Sequence, residues 1–158
     1  MRIVVISIIS GSLAGCAGAS ATRLSANTMI IEAGAAPACG PGGAAKVAAK
    51  SAAIETIRAG YDRYIIAGAQ GQNNVSSNTL PGSYNTAGSL NYGRGYGTYN
   101  ATTTYTPGPT IVSGSHDRQL AVVMFKNGEP GSENALDARA ALGPDWADFT
   151  QSGIRTCL

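Results

Sequence analysis

Three cysteines and one histidine are the side chains of this sequence best suited to chemistry. Cys16 follows a short apolar leader, Cys39 lies in a Gly/Pro-rich loop, and Cys157 is the penultimate residue. A cysteine sulfur can be acylated, paired with another sulfur or bound to a metal, and the surroundings of each cysteine decide among these fates. His116 is the one imidazole available for acid–base chemistry.

The leader has the layout of an export signal. The positive charge of Arg2 precedes an apolar run, and small residues follow up to Cys16. The run is shorter than the roughly 20 apolar residues of a membrane-spanning helix. Leu13-Ala14-Gly15-Cys16 resembles the bacterial lipobox, in which the cysteine sulfur receives a diacylglyceryl group and the chain is cut before that cysteine. The resemblance implies lipidation of Cys16 and a lipoprotein signal peptide of residues 1–15. A secretory signal cut elsewhere, or an uncleaved N-terminal helix, is the alternative.

Lipidation at Cys16 implies a permanent place in the cell envelope, because two or three acyl chains together make release from a membrane negligible. In many Gram-negative bacteria an acidic residue just after the lipidated cysteine favours retention in the inner membrane. Residues 17–20 are Ala-Gly-Ala-Ser and carry no charge. We therefore expect the outer membrane, facing the periplasm, rather than the inner membrane.

Cys39 and Cys157 remain as an even pair in an oxidising compartment, and we predict a disulfide bond between them. The alternatives are two free buried thiols or a redox-active pair. Redox chemistry is disfavoured because the C-x-x-C spacing and an adjacent base are both missing.

Charge and composition restrict the partners. The formal net charge is +2, whereas an electrostatic nucleic-acid binder normally has a strongly basic domain, so we expect no nucleic acid. With one histidine and two paired cysteines there is no ligand cluster of recognisable spacing, and we expect neither a metal nor another cofactor. Acidic side chains such as Glu133 and Asp137 are interpreted as the solvated face of a helix.

Patterning along the mature chain predicts a tether at residues 16–27 and a single α+β domain at residues 28–158. Alternating and helical periodicities predict strands at 28–33, 61–68 and 119–126, and helices at 44–59 and 133–142 with a final turn at 145–149. We expect a small sheet of about three or four strands with two helices packed on it.

A long Gly/Ser/Thr/Tyr-rich insertion at residues 70–114 interrupts this pattern and holds five of the seven tyrosines. Its glycines are compatible with a hairpin that aligns tyrosines on one face, and exposed tyrosines among small polar residues are typical of adaptable recognition surfaces. The candidate partner-binding residues are Tyr92, Arg94, Tyr96 and Tyr99. The alternative is a hairpin or flexible arm whose tyrosines pack only locally.

Four segments carry a resemblance to a family: residues 22–24, 52–64, 104–109 and 135–139. Together with the lipobox they are similar to an uncharacterised family of small alphaproteobacterial envelope lipoproteins. The resemblance implies an envelope location and a compact, disulfide-stapled α+β domain, and it transfers no catalytic residue.

The sequence thus favours a non-enzymatic lipid-anchored envelope protein, a structural or interaction module that binds another envelope protein or a cell-wall polymer. The alternative is an envelope-polymer hydrolase that uses His116, which would require an acidic partner beside that histidine.

Overall fold

The computed structural model describes residues 16–157, so the predicted signal peptide of residues 1–15 lies outside the described residues. Contacts between residues divide the described chain into two compact units. Unit 1 comprises residues 16–74 and 114–157, and unit 2 comprises residues 75–113.

Unit 1 is an antiparallel sheet with helices. Its strands are β1 (Ala17–Arg23), β2 (Thr28–Ala35), β3 (Arg63–Asn73), β8 (His116–Phe125) and β9 (Leu136–Asp137), in the spatial order β1-β2-β8-β3-β9. Its helices are a 3₁₀ turn (Pro37–Cys39), α1 (Gly40–Arg58), α2 (Ala138–Leu142) and α3 (Trp146–Ser152). Unit 2 holds the remaining strands, β4 (Ser76–Thr79), β5 (Ser83–Gly93), β6 (Tyr96–Thr106) and β7 (Thr110–Ser113).

The core of unit 1 lies between α1 and the central strands. Alternate residues of β2 and β8 point to one face of the sheet and are buried there, as the period of two in a strand requires. Ile31, Val122 and Met124 have no exposed surface. Tyr64 of β3 joins the same core, and its burial raises the pKa of its phenol.

Small residues let α1 approach the sheet closely. Four of its nine buried residues are alanines, with Val47 and Ile54 as the larger apolar contacts. Proline in the first turn is tolerated because the first helical N–H groups have no intrahelical partner. The helix ends at Arg58, and Gly60 then adopts a φ of +82°, which a residue with a side chain rarely adopts.

Unit 2 is a long two-stranded ribbon, here called the ribbon (residues 75–113). Strands β5 and β6 pair antiparallel in continuous register from Ser83–Thr106 to Gly93–Tyr96, joined by a turn at Arg94-Gly95. Gly95 supplies the φ of +90° that this turn needs. Strands β4 and β7 pair separately, and their hydroxyls bond across the strands at Thr79–Thr110 (2.9 Å).

The predicted fold class, a sheet of about three or four strands with two helices, is wrong. The main sheet has five strands, two smaller sheets accompany it, and there are three α-helices among the described residues. Residues 17–23, predicted as tether, form β1, and only residues 138–142 of the predicted helix 133–142 are helical. The insertion 70–114 consists largely of paired strands.

Backbone pairing explains these differences. Strand β1 has the sequence Ala-Gly-Ala-Ser-Ala-Thr-Arg, which has weak strand propensity, but its peptide groups bond to all of β2 from Ala17–Ala35 to Arg23–Met29. Tertiary pairing of this kind does not depend on side chains and therefore leaves little trace in the sequence. Similarly, β9 is drawn into the sheet by β3 at Tyr64–Leu136, which delays the start of α2 until Ala138.

The predicted disulfide between Cys39 and Cys157 is present, with the two Cα atoms 5.9 Å apart. It joins the start of α1 to the carboxyl end of the chain across a sequence separation of 118 residues. Closing a loop of this length stabilises the folded state by about 4–5 kcal/mol in the chain-entropy model. Gly43 in the first turns of α1 lies against the bridge, because a Cβ there would come within 2.8 Å of the Cys39 Cβ.

We predict that Gly43→Ala lowers the melting temperature of the oxidised protein, because the new methyl group would overlap a side chain that the disulfide holds in place. Gly42→Ala is the matched control, since nothing lies within 4 Å of a Cβ at that position and alanine favours a helix over glycine. Thermal unfolding followed by circular dichroism compares the two. Equal melting temperatures for both variants would contradict close packing of α1 against the bridge.

Candidate functional site

The ribbon presents four tyrosines on one face. The register places Tyr84 opposite Tyr105 and Tyr99 opposite Leu90, and the period of two adds Tyr92 to the same face. We call these five residues, Tyr84, Leu90, Tyr92, Tyr99 and Tyr105, the tyrosine face. All five side chains are more than half exposed. The opposite face carries serine, asparagine and threonine side chains together with Tyr96.

Glycines position the rings of the tyrosine face. A Cβ at Gly88 would overlap the ring of Tyr99, and a Cβ at Gly97 would come within 3.4 Å of the ring of Tyr92. The rings therefore lie over bare backbone on the neighbouring strand, an aromatic–glycine packing that pins the register of a hairpin. Tyr84 and Tyr105 contact each other directly, with centroids 4.8 Å apart. The result is a row of rings whose outer surfaces face solvent.

The structure separates the four residues predicted to bind a partner. Tyr92 and Tyr99 belong to the tyrosine face, Tyr96 lies on the opposite face, and Arg94 is in the turn. Tyr84 and Tyr105 were not predicted as site residues, although they complete the face. Once the pairing of β5 with β6 is known, the positions of Tyr84 and Tyr105 place them on the same face as Tyr92 and Tyr99. That pairing is not visible in a sequence of such low complexity.

The edges of the ribbon expose unpaired backbone. In a hairpin with a two-residue turn the flanking pair, Gly93–Tyr96, is hydrogen-bonded, and such pairs then alternate along the strands. Hence every second residue of β5 and β6, including Thr86, Leu90 and Ala101, directs its N–H and C=O away from the ribbon. No other strand pairs with β5 or β6 among the described residues.

The predicted lipidation site lies at the start of the folded body. Cys16 is exposed and has a free thiol. Its carbonyl oxygen accepts a hydrogen bond from the Ala36 N–H (3.0 Å), and its backbone bridges to Thr156. Strand β1 begins at the next residue, so no linker separates Cys16 from unit 1. The disulfide lies beside it, because Thr156 precedes Cys157.

Basic side chains lie at the same end of unit 1. Lys46 on α1 and Cys157 line one small cavity. The carbonyl oxygen of the exposed Arg155 accepts a hydrogen bond from the Ala17 N–H at 3.2 Å. Lys50, one helical turn further along α1, has its ammonium 5.3 Å from the centroid of Phe149.

His116 does not have the neighbours that a general base requires. Its Nδ1 is buried and has no hydrogen-bond partner among residues 16–157. The adjacent carboxylate, Asp117, is on the opposite face of β8 and accepts hydrogen bonds from Asn74 Nδ2 (2.7 Å) and Ser115 Oγ (3.2 Å). Within residues 16–157 these contacts do not include the His–carboxylate pair that the hydrolase alternative requires.

A groove of about 650 Å³ crosses the sheet face opposite α1. The register aligns Ser20, Glu32 and Gln119 across neighbouring strands, with Gln70 next to Gln119. Gln119 Nε2 donates to Glu32 Oε1 at 3.0 Å, so these polar groups are paired with each other. Among the described residues that line the groove there is no histidine or cysteine.

The described residues hold neither a membrane-spanning helix nor a metal-binding cluster. In residues 16–157 no helix combines the length and hydropathy needed to cross a bilayer. Within the same residues, histidine, cysteine and acidic side chains nowhere gather in a group of three or more that could hold a metal ion.

We predict that the unlipidated mature chain shows one reactive thiol per molecule without reductant, because Cys16 is exposed while Cys39 and Cys157 are bonded. Denaturant alone should leave this number unchanged, and denaturant with reductant should raise it to three. Alkylation followed by mass spectrometry counts the thiols, and Cys16→Ser, which should show none without reductant, is the control. Three alkylated thiols in the unreduced native protein would contradict the disulfide.

Comparison with protein-family models, with curated proteins and with solved structures finds no match to this chain. Its function therefore has to be inferred from its own residues.

Proposed function

We propose that this chain is a non-enzymatic, lipid-anchored protein of the bacterial cell envelope, an interaction module whose ribbon binds a protein partner. The observation that carries the proposal is the tyrosine face, with four exposed tyrosines on a ribbon whose one charged residue is Arg94. Three of these rings lie over glycines, and the fourth, Tyr84, packs on Tyr105. Tyrosine provides large contact area at low cost in conformational entropy, and its hydroxyl adds hydrogen bonding.

The open edges of the ribbon favour a protein over a cell-wall polymer. Unpaired N–H and C=O groups along β5 and β6 are complementary to the peptide groups of another extended chain, which adds affinity through main-chain hydrogen bonds. A glycan can hydrogen-bond single backbone groups through its hydroxyls, but it lacks the regular repeat of peptide donors and acceptors that matches a strand edge. The proposed partner is therefore a protein that offers an extended segment.

The anchor is proposed at Cys16. The lipobox-like sequence ends at this residue, its thiol is exposed, and β1 follows without a linker. Acyl chains on this sulfur would hold unit 1 directly at the membrane surface, with Lys46 and Arg155 near the headgroups. We propose the periplasmic face of the outer membrane, because residues 17–20 carry no acidic side chain.

For the anchor, the expected result is that the chain from bacterial membranes begins at Cys16 and carries the mass of the acyl groups. The matched control replaces residues 1–15 with the leader of a secreted protein and Cys16 with Ser. The fold should survive this change because the backbone of residue 16, not its side chain, makes the contacts. The control should be recovered in the soluble periplasmic fraction. An unmodified Cys16 in the membrane fraction, or a membrane-bound control, would contradict lipid anchoring.

For the partner, Tyr92→Ala with Tyr99→Ala should weaken binding by roughly 10- to 100-fold, as loss of interface hot spots does. Asn91→Ala with Asn100→Ala, on the opposite face of the same ribbon, is the matched control and should change binding little. Cross-linking in intact cells, followed by identification and quantification of the linked protein, measures the loss of partner binding caused by the tyrosine substitutions. Binding of the purified chain to protease-treated cell walls is measured in parallel. Equal binding by both variants, or a cell-wall polymer as the sole ligand, would contradict the proposal.

A further inference from the structure

We infer that the partner of the ribbon is a second copy of this chain, and that β6 of one copy pairs antiparallel with β5 of the next. This inference rests on the proposed function, because it names the protein that the ribbon binds. It adds a contact that the tyrosine face alone does not require, namely hydrogen bonds between strand edges of two identical chains.

Both edges of the ribbon are unprotected. The 11 residues of β5 and the 11 residues of β6 include no lysine, arginine, aspartate, glutamate or proline. Natural proteins normally block exposed edges with such residues, with bulges or with a covering element, since an open edge is a template for another strand. The pairing of β5 with β6 has no register shift, so no bulge twists either edge away. These edges retain every feature that permits strand addition.

The ribbon also gains from a third strand. An isolated two-stranded hairpin is marginally stable in water, and independent stability needs at least three strands with an apolar face. The side chains of the ribbon are exposed except at Val75, Gly82 and Gly108, so little buried apolar surface stabilises β5 and β6 beyond their own pairing. A neighbouring copy would satisfy the outward backbone groups of Thr86, Leu90 and the other residues at every second position of the same strand.

A second copy of this chain fits both open edges of the ribbon, the edge of β5 and the edge of β6. A neutral edge does not repel its own copy, and the one charge, Arg94, is in the turn rather than in a strand. Two hairpins side by side with their turns pointing the same way bring the descending β6 next to the ascending β5, which is the antiparallel arrangement. The contact is head-to-tail, so it generates a closed ring or an open row of copies.

Proline substitutions distinguish the two edges. Thr86→Pro removes an outward N–H from β5 and Ala101→Pro removes one from β6, while the hydrogen bonds between β5 and β6 are formed by the alternate residues. Thr86→Val and Ala101→Val are the matched controls, because valine is similar in size to proline and keeps the N–H. Light scattering gives the mass of each lipidated chain in detergent over a range of concentrations. A chain in which an Asn-Gly turn replaces residues 75–113 reports the mass without the ribbon.

The wild-type chain and the valine variants should form oligomers, and the chain without the ribbon should be a monomer. Each proline variant alone should weaken association at least about tenfold, since it loses one hydrogen bond and gains a clash with the incoming strand. An equal mixture of the two proline variants should form dimers, because each retains the edge that the other lacks. This recovery also shows that the proline ribbons are folded.

Several results would overturn the inference. These are a monomeric wild-type chain at all concentrations, an oligomer that persists without the ribbon, and proline variants that associate as well as their valine controls. Loss of association with Ala101→Pro alone would replace the head-to-tail contact with a two-fold β6–β6 contact. If the wild type is monomeric but cells still yield another protein cross-linked through Tyr92 and Tyr99, the proposed function stands and this inference fails. If neither is found, both fail.

Discussion

Backbone hydrogen bonding between antiparallel strands is the interaction on which both units depend. In unit 1 it is combined with burial: the central strands β2 and β8 are paired on both sides, and their alternate side chains pack under α1. In unit 2 the same pairing has little apolar burial to support it, and tyrosine rings over glycines provide the additional contacts. The two units therefore represent different uses of one interaction, a closed core and an open ribbon.

The covalent bridge has a specific place in this arrangement. Cys39, Cys157 and Cys16 lie at one end of unit 1, where β1 begins, α1 begins and the chain ends. The disulfide holds the carboxyl end of the chain beside the residue proposed to carry lipid. Cys16 is thus connected to the sheet through β1, and to α1 through its backbone bridge to Thr156 and the disulfide.

Sequence patterns predicted the parts of the fold that bury side chains. The alternation at residues 28–33 and 119–126 and the periodicity at 44–59 correspond to β2, β8 and α1, since burial selects residue types at fixed spacing. The Cys39–Cys157 disulfide was predicted from the expected oxidising compartment and from the even number of cysteines left after Cys16. Strand β1 was missed because edge pairing selects no side-chain pattern, and α2 was predicted too long because its first residues pair with β3 instead. For the candidate site, the sequence left open a glycine-turned hairpin with tyrosines on one face or a flexible arm. The division of Tyr92 and Tyr99 from Tyr96 required the register.

Amide hydrogen exchange, resolved to single residues, tests the central claim that the ribbon edges are used for pairing. In concentrated, membrane-extracted protein the outward amides of Thr86, Leu90 and Ala101 should exchange as slowly as the inward amides of their neighbours. On dilution to monomers only the outward set should become fast, because the internal ladder of β5 and β6 remains. Outward amides that exchange without protection at every concentration would contradict the account.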